Sequence, residues 1–430
     1  MINQNSLDVV AAATFGGIFC RPCYSSYCFS RLPDTIKRSF GICSAPNSLP
    51  ADALGPFGKQ YRKVILIFID AFGWRFFEQF KDRFPVLGQL AQAGVLSKLT
   101  SLFPSATTGC VSTIHTGLPA SEHGLLDWPI YDPVIDDTVS HLIFSRALNA
   151  TPYSFKRDLL SAEGWTGEQI FPRRNLYLDL QAHGIESHVF EFEGFRPSPF
   201  LDTVCRGATV TRFGDFAEGL GLLSGQWQKD SDPAYFILYF DKFDSVLHRY
   251  GPNSPEALQA LTGIMLPLER FVSRLLNNDV RETLLMVTAD HGHIEVNPQS
   301  TFYVDEEWPE IRKYLRRNTA GKPLLPGGGG RDLTLYLEPQ YLGLTAKKLR
   351  ELVNNFAQVH LVRDLVAEGL YGAPPYSRRF MAAAGDLLVL PFTERSVWWS
   401  EDGKFRNPAV SAHEGLSRQE MEIPLFILGN

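Results

Sequence analysis

The sequence has no uninterrupted apolar stretch near the ~20 residues that a membrane-spanning helix needs. Its one early apolar segment, residues 9–20, lacks a basic flank and follows Asp8, so it does not read as a secretory signal. The chain therefore reads as cytoplasmic, with no membrane partner. It also lacks an excess of positive charge. Its 41 Lys and Arg against 47 Asp and Glu give a net charge of −6. A negative chain is a poor general binder of nucleic acid, so no stable nucleic-acid partner is expected. A polyanionic substrate would need local cations, which bound metal ions could supply. Cysteine is scarce too, at 6 in 430 residues. Cys20, Cys23, Cys28 and Cys43 cluster near the start. The Cys20-x-x-Cys23 pair could open a zinc knuckle or a redox motif, but no second such pair follows and no His lies nearby. Free thiols in a reducing compartment are the reading. No internal repeat is visible.

What the chain does have is core: 44% of its residues are hydrophobic. Residues 1–60, rich in Pro, Ser, Gly and aromatics, read as an irregular N-terminal lead with one short helix near 33–40. Then come three short, continuous apolar runs at 63–69, 234–240 and 283–288. Such runs suit strands buried on both faces of a parallel sheet. Helical patterns separate them. Ser254-Pro255 opens a long amphipathic stretch to about residue 276, with Ser as cap and Pro in the first turn. Thr345 likewise opens a helix to about 356. Strands alternating with helices predict an α/β fold with a mostly parallel sheet. Residues 61–430 read as one catalytic domain. Within it, residues 295–400 interrupt the rhythm and read as a small inserted cap.

Each apolar run ends in a carboxylate: Asp70, then Asp241 and Asp244, then Asp290. In parallel α/β sheets, ligand sites lie beyond the carboxyl ends of the strands. Histidines accompany them. His291 follows Asp290, and His248 stands four residues after Asp244, on the same face of a helical turn. His413 sits in a polar loop before the last apolar run, 423–428. Carboxylate plus neutral imidazole is a ligand set for zinc and its neighbours. A second feature is Ser101-Leu-Phe-Pro-Ser-Ala-Thr-Thr-Gly-Cys110, which reads as strand, sharp turn at Pro104, then helix start. Free N–H groups at a helix N-terminus bind anions. A Thr hydroxyl there is a weak nucleophile unless a base or a metal activates it. Ser105, Thr107 and Thr108 serve equally well as helix caps on this segment alone.

Together these motifs resemble the type I phosphodiesterase/nucleotide pyrophosphatase family of the alkaline phosphatase superfamily. The landmarks are Ile69-Asp70-Ala-Phe-Gly73, Phe103-Pro-Ser-Ala-Thr107 with His115-Thr-Gly117-Leu-Pro, and Glu122-His-Gly124. They continue with Asp244-x-x-x-His248-x-x-Gly251-Pro252, Thr288-Ala-Asp290-His-Gly292 and His413-Glu-Gly415. The resemblance implies an alkaline phosphatase-like three-layer sandwich with a small inserted cap. It implies two divalent cations, zinc or else manganese. One would be held by Asp244, His248 and His413, the other by Asp70, Asp290 and His291, with the Thr107 oxygen between them. Thr107 would attack a phosphodiester or pyrophosphate bond of a nucleotide-like substrate in line, giving a phospho-threonine that water then hydrolyses. One departure stands out: Cys110 occupies a position where many members carry an Asn that contacts the phosphoryl group, and a thiol is a poor donor.

Two alternatives stay open. Phosphomonoesters or phosphonates could be the substrate, since the leaving-group pocket falls in the cap. A non-catalytic metal- or ligand-binding relative is the other, with Cys110 as its support. Sulfatase chemistry is discounted, because no Cys/Ser-x-Pro-x-Arg motif lies near Thr107. Substrate contacts are expected from Phe72, Thr108, Cys110 and Trp128, with aromatic core packing as the competing role for Phe72, Trp74 and Trp128. Residues 327–330 with Arg331 lack the Gly-Lys-Ser/Thr ending of a P-loop and read as a flexible cap loop. Asp241, His123 and His293 read as structural or supporting residues. His141, His183, His188 and His360 carry no signal.

Overall fold

The computed structural model describes residues 1–43, 45–151, 154–229, 232–277 and 282–429. Ten strands build its two main sheets. In chain order they are β1 (Lys63–Ile69), β2 (Val95–Thr100), β3 (Glu186–Phe192), β4 (Thr209–Phe213), β5 (Ala234–Phe240), β6 (Thr283–Thr288), β7 (Leu333–Leu335), β8 (Ala357–Leu361), β9 (Leu387–Pro391) and β10 (Glu422–Gly429). The central sheet has the order β4-β3-β5-β1-β6-β10-β2. Every pairing is parallel except the two that β10 makes, with β6 and with β2.

The three continuous apolar runs are adjacent at the centre. Ile65 of β1 pairs with Phe236 of β5 on one side and Leu285 of β6 on the other. All seven residues of β1 and all six of β6 are buried. That explains why these strands do not alternate polar and apolar: helices cover both faces of the sheet. Three helices frame the site: α1 (Thr107–Thr116), α2 (Lys242–Tyr250) and α3 (Pro255–Asn277). On one face α3 packs with α2 and with helices Pro85–Ala93 and Phe216–Lys229; α1 belongs to a second group with helices Leu32–Ser39, Leu176–Gln181 and Pro199–Val204. The result is a three-layer α/β sandwich. Ser254 Oγ accepts the Ala257 N–H at 3.0 Å, capping α3.

The first 60 residues hold more regular structure than their composition suggests. Helices run over Gln4–Ala12, Leu32–Ser39 and Ala51–Leu54. Asn3 caps the first, accepting from Ser6 N–H at 3.2 Å. The segment lies along β2, the outermost strand. Asn3 N–H donates to Leu96 O at 2.8 Å, and Thr100 N–H to Tyr27 O at 2.9 Å. These bonds occupy a sheet edge that would otherwise be open to pairing. Val10, Phe19, Phe29 and Ile36 join the main core, as do Cys20, Cys23 and Cys28. All six cysteines are free thiols. Burial pushes Cys20 and Cys23 up to about 12, which makes them packing residues rather than thiolate ligands.

A second hydrophobic core includes Val304, Ile311, Leu335, Leu349, Val389 and Trp399. It is built on the antiparallel sheet β7-β9-β8. Its helix runs Leu342–Val353, so Thr345 is a buried residue of the helix and not its cap. The 327–330 loop is no loose flap. Gly327 exchanges two backbone hydrogen bonds of 2.9 Å with Thr334. Arg331 is fully buried and donates to both carboxylate oxygens of Glu420, at 2.9 and 3.1 Å, and to Phe392 O at 2.7 Å.

Candidate active site

The carboxyl ends of β1, β5 and β6 meet at one edge of the sheet, and each is followed by acidic residues of the site. Asp70 follows β1 directly. Ala71, next to it, has a left-handed backbone (φ 64°), and its N–H donates to Asp290 Oδ1 at 3.0 Å. The two ligand loops touch at their glycines: a Cβ on Gly73 would stand 2.5 Å from Cα of Gly292. Only glycine permits that approach. The 294–295 segment pairs with 411–412, Ile294 opposite Ala412, which sets His293 beside His413. The turn before α1 is stitched to the same loop. Ser105 and Glu414 exchange backbone bonds of 3.2 and 3.1 Å, and Ser105 Oγ donates to Gly415 O at 2.7 Å.

Two groups of potential ligands result: Asp70, Asp290 and His291 form one, and Asp244, His248, His293 and His413 form the other, with ligand atoms in each within 4.8 Å of one another. In the first, His291 Nε2 lies 3.4 Å from Asp70 Oδ1 and 3.4 Å from Asp290 Oδ2. Both of those carboxylate oxygens are buried with no hydrogen-bond donor. Burial, the Asp290 charge and the Asp244 charge drive the Asp70 carboxyl well above its ordinary range, despite a hydrogen bond from the Tyr239 hydroxyl. Burial raises Asp290 as well. In the second group, burial alone would raise Asp244, but His248, His293 and His413 outweigh it and hold the carboxyl below its ordinary range. Orphaned anionic oxygens in a buried site are what a cation would satisfy.

The imidazoles are oriented for ligation. His291 Nδ1 is 3.1 Å from Gly292 O, His248 Nδ1 2.9 Å from Ser411 O, and His413 Nδ1 2.9 Å from Ser105 O. A carbonyl only accepts, so each Nδ1 carries the proton and each Nε2 lone pair faces the cluster. Metal-binding histidines are held in this way. Carboxylates and imidazoles suit zinc or manganese, and the residues present fit a pair of such ions.

Thr107 is the first residue of α1. Its Oγ1 lies 3.1 Å from His291 Nε2. The cap position before it is Ala106, which offers no side-chain acceptor, so the first N–H groups of the helix are left for a ligand. A cavity of about 660 Å³ opens over this point. Thr107, Thr108, Asp70, Asp244, His248 and His413 line it, as do Asp241 and Trp128. Leu325, Trp398 and Trp399 close it from the side of the second core, and Arg157 and Lys242 add positive charge. Burial pushes Asp241 up to about 6.

Not every expected contact reaches the cavity. Phe72 is buried and stacks on Phe76 at 6.2 Å. Trp74 packs on Phe77 at 5.1 Å, within the core. Cys110 points into the core, its Sγ 3.6 Å from Ser101 Oγ and 3.7 Å from Asp290 O. It holds the floor under Asp290 instead of facing a phosphoryl group. His293, read from the sequence as a supporting residue, stands inside the second ligand group, 2.7 Å from Asp244 Oδ1. His123 does not: it is buried against Thr113 Oγ1 at 3.1 Å.

A model of the type I phosphodiesterase/nucleotide pyrophosphatase family matches residues 64–391. The chain belongs to that family. Among its relatives are ectonucleotide pyrophosphatase/phosphodiesterase family member 3 of Rattus norvegicus, 23% identical over 278 residues, and family member 7 of Mus musculus, 23% identical over 271 residues. The matches cover 62% and 61% of this chain but only 29% and 57% of those relatives. A venom phosphodiesterase of Crotalus durissus collilineatus is 24% identical over 282 residues, covering 62% of this chain and 30% of its own. The fold is that of murine ectonucleotide pyrophosphatase/phosphodiesterase 5, with a TM-score of 0.61 at 16% identity over 86% of this chain and 88% of that one. It is thus an alkaline phosphatase-like fold. Among the described residues, no helix is long and apolar enough to cross a membrane.

Proposed function

We propose that this member of the family hydrolyses phosphodiester or pyrophosphate bonds of nucleotide-like substrates, with Thr107 as nucleophile at a pair of divalent cations, zinc or manganese. The observation that carries the reading is the Thr107 hydroxyl at the N-terminus of α1, 3.1 Å from His291 Nε2 and at the wall of the cavity. Asp244, His248 and His413 would hold one ion, and Asp70, Asp290 and His291 the other. When bound, the ions supply Lewis acidity that lowers the pKa of the threonine hydroxyl and neutralises phosphoryl charge. The chain does the rest. The open N–H groups at the start of α1 bind phosphoryl oxygens. Arg157 and Lys242 attract the anionic ester. Trp128 and Trp398 offer flat apolar surface to a base or another flat leaving group. Residues 295–400 act as the cap that selects that group.

A nucleotide-like substrate accords with the murine family member 5 solved in complex with AMP. We also read the chain as intracellular, although its relatives are named as ecto-enzymes. Six free thiols, three of them packed in one part of the core, support a reducing compartment. Fractionation of cells that express the protein checks this.

The test of activity is hydrolysis of a chromogenic phosphodiester and of its monoester counterpart, after metal removal and after restoring zinc or manganese. Metal-dependent cleavage that favours the diester is expected. Preference for the monoester would move the substrate to another class within the superfamily. No cleavage of either by metal-loaded protein would contradict the reading.

A further inference from the structure

Asp244, His248 and His413 have a fourth companion. His293 is fully buried, and its ring centroid lies 4.6 Å from that of His248 and 5.2 Å from that of His413. Its Nε2 approaches Asp244 Oδ1 to 2.7 Å.

The placement of protons decides what that approach means. Ser411 has a single hydroxyl proton, and it goes to Leu247 O at 2.6 Å. The same oxygen lies 2.9 Å from His293 Nδ1, so it accepts there and Nδ1 is the donor. A neutral imidazole carries one N–H. His293 Nε2 therefore presents a lone pair to a carboxylate oxygen. Two acceptors at that distance need a cation against both, a proton in the metal-free chain or a metal ion when one binds. Ser411 also accepts from His248 through its backbone carbonyl. One residue thus turns two imidazoles toward the same point, the supporting pattern of a histidine metal site.

We propose that His293 is a ligand of the cation held by Asp244, His248 and His413, so that this site offers three imidazoles and one carboxylate. The inference rests on the two-metal reading above and deepens it. The Asp70, Asp290 and His291 site offers two carboxylates and one imidazole. The two sites therefore differ in softness. The nitrogen-rich site selects zinc, and the oxygen-rich site also accepts manganese or magnesium.

Proton NMR of the wild-type protein with two Co2+ ions bound per chain tests this directly. Each cobalt-bound imidazole that keeps its Nδ1 proton gives a far-shifted resonance that vanishes in D2O. Four such signals are expected, from His248, His291, His293 and His413. Three signals at full loading would overturn the inference and leave the two-metal reading intact, and failure to bind cobalt at all would overturn both. The variant His293→Gln gives a second readout, because its amide can still hydrogen-bond Asp244. Zinc affinity at the Asp244 site should fall about tenfold or more in chelator competition. Retention of the equivalent at the Asp70, Asp290 and His291 site shows that the variant is folded. Unchanged affinity at both sites would overturn the inference.

Discussion

Thr107 Oγ1 and His291 Nε2 stand 3.1 Å apart although 184 residues separate them in the chain. Because Nδ1 of His291 is committed to Gly292 O, Nε2 carries no proton and accepts the threonine proton. The hydroxyl and a metal ion thus compete for one lone pair. In the metal-free chain Thr107 is held by His291; a bound ion would take up that lone pair and leave the hydroxyl free to meet substrate. Several consequences can be measured.

The unpaired oxygens of Asp70 and Asp290 make the metal-free protein pay for a site built around cations. Asp70→Asn removes a buried carboxyl whose ionisation burial and the neighbouring carboxylates oppose. In metal-stripped protein it should raise stability to urea by about 1–3 kcal/mol, while one of two metal equivalents is lost. A stripped variant less stable than stripped wild type would contradict the repulsion account.

Two histidines far from the metal ligands set an acid limit. Burial lowers His115 to about 4 and His123 to about 3. His123 Nδ1 accepts the Leu125 N–H at 3.0 Å, a bond that protonation would break. An unfolded histidine takes up its proton near pH 6.5, before the folded one does. Stability is therefore present above about pH 6.5 and is lost as pH falls toward 4 for His115 and toward 3 for His123, at up to about 1.4 kcal/mol per pH unit for each. Urea unfolding of metal-free protein at pH 7, 6 and 5 measures the slope. His123→Gln should flatten it, and an unchanged slope in that variant would refute the assignment.

The Cys110 thiol, expected to meet the phosphoryl group, faces Ser101 and Asp290 in the core. Cys110→Asn should therefore not raise turnover. It should cost about 1–3 kcal/mol through overpacking. A rise in kcat/KM with a phosphodiester would show that the position reaches substrate after all.

The central sheet was legible because β1, β5 and β6 are short, continuous and apolar, and the acidic residues follow their ends directly. The direction of β10 was not, since an apolar run does not tell parallel from antiparallel. The helix at Gln4–Ala12 had its signal in Asn3, a capping residue, but the surrounding composition masked it. His293 also left a trace: in extended chain, residues two apart share a face, so His291 and His293 point the same way. What no local pattern could reveal is contact across long loops. Ser411 orients two histidines, and Glu420 neutralises Arg331, only because the fold closes segments more than 80 residues apart.

The most direct test of the account is turnover of a phosphodiester by Thr107→Ala after reconstitution with zinc. If the hydroxyl is the nucleophile, as proposed, and not needed to hold metal, the variant should still bind two ions yet lose activity on the order of a thousandfold or more. Near-wild-type turnover in a preparation shown to contain both metals would contradict the central claim.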